Sequence, residues 1–257
     1  MSAIGYAISD TAVLAVRNLK RIPRAPDLLI GFTLQPIMFV LLFNYVFGGA
    51  ISTPGGDYTQ FLIPGLIVQT MFFGGFVTAI GLSDDLKKGL IDRFRSLPMS
   101  RGAVLAGRTL ADVATNVLQL TVMVTVALII GFSFEGSVLE VVGGFVLMLL
   151  FGYAFSWVFA SFALVSSSAE AAQSIGFLVI FPLTFISSAF VPLETLPDGL
   201  QQFAQVNPFT VAVDAMRALW TGDPAGNSIW GAVLWSLGLT AVFAWVSVWR
   251  YKRAVSA

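Results

Sequence analysis

Whatever chemistry this chain performs is done without histidine or cysteine, since its 257 residues contain neither. That removes the commonest general base, the commonest metal ligand and every thiolate together. No Gly-x-Ser-x-Gly elbow occurs, so a serine hydrolase of that kind is excluded. The run Gly102-Ala103-Val104-Leu105-Ala106-Gly107-Arg108-Thr109 has the outline of a phosphate-binding loop with Arg in place of Lys. Such a loop requires a preceding buried strand, a turning backbone and a Lys that reaches the phosphates, whereas this stretch is helix-like and leads into an apolar run. The polar side chains that remain in apolar surroundings are amides: Gln35, Asn44, Gln69, Asn116, Gln119 and Gln173. They either line a translocation path or hydrogen-bond between helices at ~0.6–2 kcal/mol each. The chemistry on offer is recognition; no catalytic set and no metal site is expected.

The elements that position these amides follow from the charge map. Thirteen of the fourteen Lys and Arg residues lie before Asp27, between Lys87 and Arg108, or after Trp249, and the exception is Arg217. Stretches 28–56, 58–83, 113–134, 141–169, 171–193 and 224–249 carry no charge. A charge at the bilayer centre costs ~2.5–3.5 kcal/mol on insertion scales, and a helix needs ~20 apolar residues to cross. The windows therefore predict an all-α polytopic membrane protein. Its six transmembrane helices fall at about 28–48, 61–83, 109–132, 138–165, 171–192 and 229–249, in a single permease domain over 1–257. Since Lys and Arg are retained inside, both termini are expected to be cytoplasmic. The acidic residues Asp57, Glu135, Glu140, Glu194, Asp198, Asp214 and Asp223 then lie outside, so a formal net charge of zero conceals a cationic inner face and an acidic outer one. A 57% hydrophobic and 11% charged composition agrees with this class and leaves no room for a soluble catalytic domain.

Three segments outside the spans are structured by their patterns. Residues 8–22 form an amphipathic helix, with Ile8, Ala12, Ala15, Leu19 and Ile22 on one face and Asp10, Arg17, Lys20, Arg21 and Arg24 gathered opposite, suited to lying in the lipid interface. Residues 84–98 form a short cytoplasmic helix, opened by Asp84 and Asp85 and ended by Pro98. Leu86, Leu90, Phe94 and Leu97 give it an apolar stripe that must be buried in lipid or in a partner's groove. Segment 193–228 starts helices at Pro197 and Pro208 and is expected at, or dipping into, the outer leaflet. Small-residue stripes at Gly152, Ser156 and Ala160, and at Ala232, Ser236, Thr240 and Ala244, mark close helix approaches.

Two runs carry a family resemblance. DRFRSLPMSRGAVLAGRTLAD (Asp92–Asp112) and NPFTVAVDAMR (Asn207–Arg217), in this order among the spans, resemble type-2 ATP-binding-cassette exporter permeases of the daunorubicin-resistance-like group. The resemblance implies an exporter in a bacterial inner membrane, built from two permease copies and two separate ATP-binding-cassette ATPase subunits. It implies that the helix after span two is a coupling helix docked on the ATPase, with contacts from Leu90, Asp92, Arg93, Phe94 and Arg95 and with Leu97 and Pro98 positioning its end. Asn207, Pro208 and Arg217 would be the family motif before the last span. ATP and Mg would be held by the partner and no cofactor by this chain; membrane lipid is the remaining partner, and no nucleic acid is expected. Apolar walls and few intramembrane charges suit a drug- or lipid-like cargo. Polysaccharide or glycoconjugate export is the alternative cargo class, and an intramembrane enzyme or scaffold without an ATPase is the alternative from a different class.

Overall fold

The computed structural model describes residues 3–20, 26–48, 57–87 and 103–254, and among them there are helices and turns but no strand. In chain order the helices are α1 (Ala3–Leu19), α2 (Pro26–Leu42, continued by a wider π turn over Phe43–Phe47), α3 (Tyr58–Lys87), α4 (Ala103–Ile129) and α5 (Val138–Val165). Then follow α6 (Ala169–Phe185), a single 3₁₀ turn (Leu193–Thr195), α7 (Asp198–Val206), α8 (Pro208–Trp220) and α9 (Ser228–Ala254). By length and composition α3, α4, α5 and the Ser228–Tyr251 part of α9 can each cross a bilayer. α2 and α6 are shorter, at 17 residues each.

α3 is the centre of the molecule. It packs against α2, α4, α5, α6 and α8. Its apolar window is 83% buried, against 11% for that of α9, which lies at the periphery against α5 and α8. Phe72 and Phe76 of α3, Phe155 and Phe159 of α5, and Phe209 of α8 meet as offset and edge-on rings, such as Phe72–Phe155 at 4.1 Å and Phe76–Phe159 at 4.6 Å. Both small-residue stripes hold residues buried within this one chain: Ser156, Ala160, Ala232 and Ser236 are fully buried, and Gly152 lies against Met71 of α3 and Asn116 of α4.

Caps explain several helix ends. Ser137 begins α5 as a capping box, accepting the Glu140 amide while Glu140 accepts the Ser137 amide at 2.7 Å. Ser168 caps α6 through the Ala171 amide at 3.2 Å. The structure moves three sequence-based boundaries. The amphipathic helix runs over 3–19 rather than 8–22. Asp84 and Asp85 do not open a new helix; they continue the last turn of α3, because no Gly or Pro interrupts the chain there and Asp85 is buried beside Arg17 of α1 at 4.0 Å. α6 stops at Phe185 rather than 192, because Asn207 Nδ2 takes the Leu183 and Ile186 carbonyls at 2.6 and 2.7 Å.

α1 is packed on α4. Leu14 and Asn18 are buried against α4, while Val13, Val16 and Leu19 are exposed. The crossing point is Gly107, where a Cβ would lie 2.7 Å from Leu14 Cβ and 2.9 Å from the Thr11 carbonyl. The second glycine of the phosphate-loop outline is thus a helix-crossing position inside α4, and no loop forms over 103–109.

Candidate functional site

The end of the bundle where α3 begins is organised by the Asn207–Arg217 run. Pro208 occupies the first turn of α8, where a missing N–H does no harm, and the Asn207 side chain accepts the Phe209 amide at 2.9 Å. One buried amide therefore starts α8 and closes α6. Three turns on, Arg217 is 5% exposed yet bonds fully. Its Nη2 donates to the carbonyls of Ser188 (2.7 Å) and Phe61 (2.9 Å), its Nε also reaches Phe61 O (3.2 Å), and its Nη1 pairs with Asp214 (3.4 Å). The guanidinium lies 3.7 Å from the centre of the Phe61 ring. Ser188 Oγ donates to Asp214 at 2.7 Å, closing the network. Burial holds Arg217 down at about 10, so it stays charged at neutral pH, and burial pushes the Asp214 carboxyl up despite Ser188 and Arg217 pulling it down.

This clamp forms one wall of a cavity of about 920 Å³ that also presents Asp57, Glu135, Glu194 and Asp223. With Asp214, five carboxylates face this space, and among the described residues Arg217 is the only cation lining it. α8 is buried throughout its inward side, with Ala212, Val213, Met216 and Trp220 fully covered, and Trp220 Nε1 donates to Val141 O at 3.1 Å. The expected outer element is therefore a packed part of the bundle.

The six amides are not brought together. Gln35 of α2 is exposed and shares a narrow notch with Gln69 and Thr70 of α3. Asn44, in the π turn, accepts from Thr59 Oγ1 at 2.8 Å, a helix-to-helix bond of the kind weighed above. Gln173 is half-buried on α6. Asn116 and Gln119 of α4 are buried together against Gly74 of α3. Asn116 also abuts Gly152 of α5, where a Cβ would lie 2.6 Å from its Nδ2. Next along the same seam, Thr78 Oγ1 donates to Asp112 at 2.5 Å and Arg108 Nη2 donates to Val77 O at 2.7 Å. The Arg108–Asp112 pair, at 3.5 Å, is the local one its four-residue spacing predicts. Sequence reasoning missed Thr78 and Gly81, which contact Asp112 and Arg108; their matching three- and four-residue spacing was the available signal. Leu90, Asp92, Arg93, Phe94, Arg95, Leu97 and Pro98 lie outside the described residues.

Comparison with known proteins follows the same lines. The sequence profile of the family described as ABC-2 type transporter matches residues 9–220. The daunorubicin resistance ABC transporter permease protein DrrB1 of Streptomyces coeruleorubidus is 36% identical over 247 residues, which is 96% of this chain and 87% of that protein. A probable doxorubicin resistance ABC transporter permease protein, DrrC, of Mycobacterium tuberculosis is 25% identical over 96% of this chain and 90% of its own length. A putative transport permease, ycf38, of Cyanophora paradoxa is 27% identical over 84% of this chain and 76% of its own.

Proposed function

The chain belongs to the ABC-2 type transporter family, and on that premise we propose that it is the permease of an ATP-driven exporter. The observation that carries this reading is the 36% identity, over nearly the whole chain, to a daunorubicin resistance permease. The permease crosses a bacterial inner membrane six times with both termini inside, α2 and α6 supplying the two shorter spans. A second permease copy completes the pathway, and separate ATPase subunits, which hold ATP and Mg, drive it. The segment with Leu90, Asp92, Arg93, Phe94, Arg95, Leu97 and Pro98 docks on the ATPase through its apolar stripe. Helical backbone over 103–109, where the phosphate-loop outline falls, supports placing ATP hydrolysis on another subunit.

The cargo is an amphiphilic drug or lipid taken from the cytoplasm or inner leaflet. Five carboxylates around the outer cavity disfavour an anionic glycoconjugate at the exit and suit a neutral or cationic molecule. The test is purification of the tagged chain in mild detergent from its native membrane, followed by daunorubicin uptake into inverted vesicles with and without ATP. A stoichiometric ATPase and ATP-dependent uptake are expected. Absence of any ATPase after crosslinking overturns the exporter reading, and an ATPase without movement of any hydrophobic dye overturns the cargo class.

A further inference from the structure

α3 and α4 run antiparallel, and a ladder of matched positions lies between them. Arg108 fills the space beside Gly81, Asp112 meets Thr78, and Asn116 and Gln119 meet Gly74. On α3 the positions 74, 78, 81 and 85 recur on one face, and on α4 the positions 108, 112, 116 and 119 do the same. The Thr78–Asp112 rung is satisfied. The middle rung is not: Asn116 is 1% exposed, yet neither its Oδ1 nor its Nδ2 finds a hydrogen-bond partner among the described residues, nor does Gln119 Oε1. Arg108 Nε is likewise without a hydrogen bond, since its approach to Asp112 at 3.5 Å is an ion pair without alignment.

Displacing α4 by one helical turn, about 5.4 Å, toward the C-terminal end of α3 gives Asn116 and Arg108 new polar partners and moves Asp112 from Thr78 to the space beside Gly81. Asn116 then stands opposite Thr78, whose hydroxyl can both donate and accept, and Arg108 stands opposite Asp85. The positions of α3 that Asn116 and Arg108 face are Gly74 and Gly81, which carry no side chain into the seam. α1 is seated on α4 through Leu14 and Gly107, so it would travel with α4. Its Arg17, now 4.0 Å from Asp85, would yield that carboxylate to Arg108. At the outer end α4 gives way to Gly131 (φ 106°), a backbone state open to glycine that can absorb the shift. Packed helices are known to step past one another by whole turns in this way.

We propose that Thr78, Asp112 and Asn116 are positioning residues that define two registers of α4 against α3, one turn apart, and that the transport cycle steps α4 between them. This rests on the reading of the chain as an ATP-driven permease. In the first register Thr78 serves Asp112; in the second it serves Asn116, and Asp85 exchanges Arg17 for Arg108.

Because the chain has no cysteine, the registers can be read by crosslinking in native-membrane vesicles that contain the ATPase. The pair Gly81→Cys with Arg108→Cys reports the first register, since the atoms crowding Gly81 are those of the Arg108 guanidinium that the pair removes. Asp85→Cys with Arg108→Cys reports the second. Trapping with ATP and vanadate is expected to lower the 81/108 yield and raise the 85/108 yield. Thr78→Val, of the same shape without the hydroxyl, is expected to reduce transport about tenfold while ATP hydrolysis stays within about twofold, and Thr78→Ser to restore it. Wild-type vesicles that never move dye with ATP overturn the functional reading. If wild-type vesicles do move dye, an 81/108 yield that trapping leaves unchanged overturns the two registers alone, as does normal transport by Thr78→Val.

Discussion

Arg217 illustrates how one residue can carry a junction. Its donors go to the Phe61 and Ser188 carbonyls and to Asp214, tying the start of α3, the turn after α6 and α8 to one planar group. A Lys cannot reproduce that fork, because its ammonium is a single point on a flexible stem. Arg217→Leu orphans two carbonyls and a carboxylate, and should lower stability by about 3 kcal/mol. Thermal melts in detergent followed by tryptophan fluorescence would register the change, since Trp220 lies one turn away. Arg217→Lys should recover only part of the loss, and equal melting of all three proteins would refute the clamp. Asp214 makes the same junction sensitive to pH. Burial raises its carboxyl above the unfolded value, so its contribution is fully present below about pH 4 and is lost as pH rises through the folded-state value. The wild-type melting temperature should therefore fall from pH 4 toward neutrality more steeply than that of Asp214→Asn.

At the scale of elements, α1 and α4 form a docked pair whose contact depends on one glycine. Gly107→Val places branched carbon where Leu14 Cβ and the Thr11 carbonyl already sit, an overpacking cost of about 1–3 kcal/mol. Limited proteolysis within α1 should accelerate in that variant while α5 and α9 stay protected; unchanged cleavage would show that α1 holds by other means. The same pair shows what a sequence can and cannot reveal. Arg108 and Asp112, four apart, were legible as a local ion pair, and Val138–Val165 was legible as a helix from the charge-free stretch 141–169 that overlaps it. The role of Gly107 was hidden, because a glycine in a phosphate-loop outline and a glycine at a helix crossing are spelled alike. The partners of Arg217 and Asn207 were hidden for another reason: they are backbone carbonyls, which every residue type supplies. Asn116 was visible as a polar residue in an apolar run, but its neighbours Gly74 and Gly152 come from two other helices.

The whole molecule is governed by separation of charge along one axis. Cations collect around α1, the segment after α3 and the end of α9, while the carboxylates of the acidic cavity lie near the start of α3, after the end of α4 and along α8. A single helix could tolerate either orientation, but α3, α4, α5 and α9 are packed as one body and must invert together or not at all. Inversion would carry the Lys and Arg clusters across the bilayer, which retention on the cytoplasmic side opposes. Single cysteines in the cysteine-free chain test this directly. Gly199, with open space around its Cα, and exposed Asn227 report the carboxylate end, and Ser256 reports the C-terminus. In intact cells an impermeant maleimide should label Gly199→Cys and Asn227→Cys, and should reach Ser256→Cys only after permeabilisation. Labelling of Ser256→Cys alone would mean that the acidic cavity opens to the cytoplasm, and that its carboxylates meet cargo on entry rather than on exit.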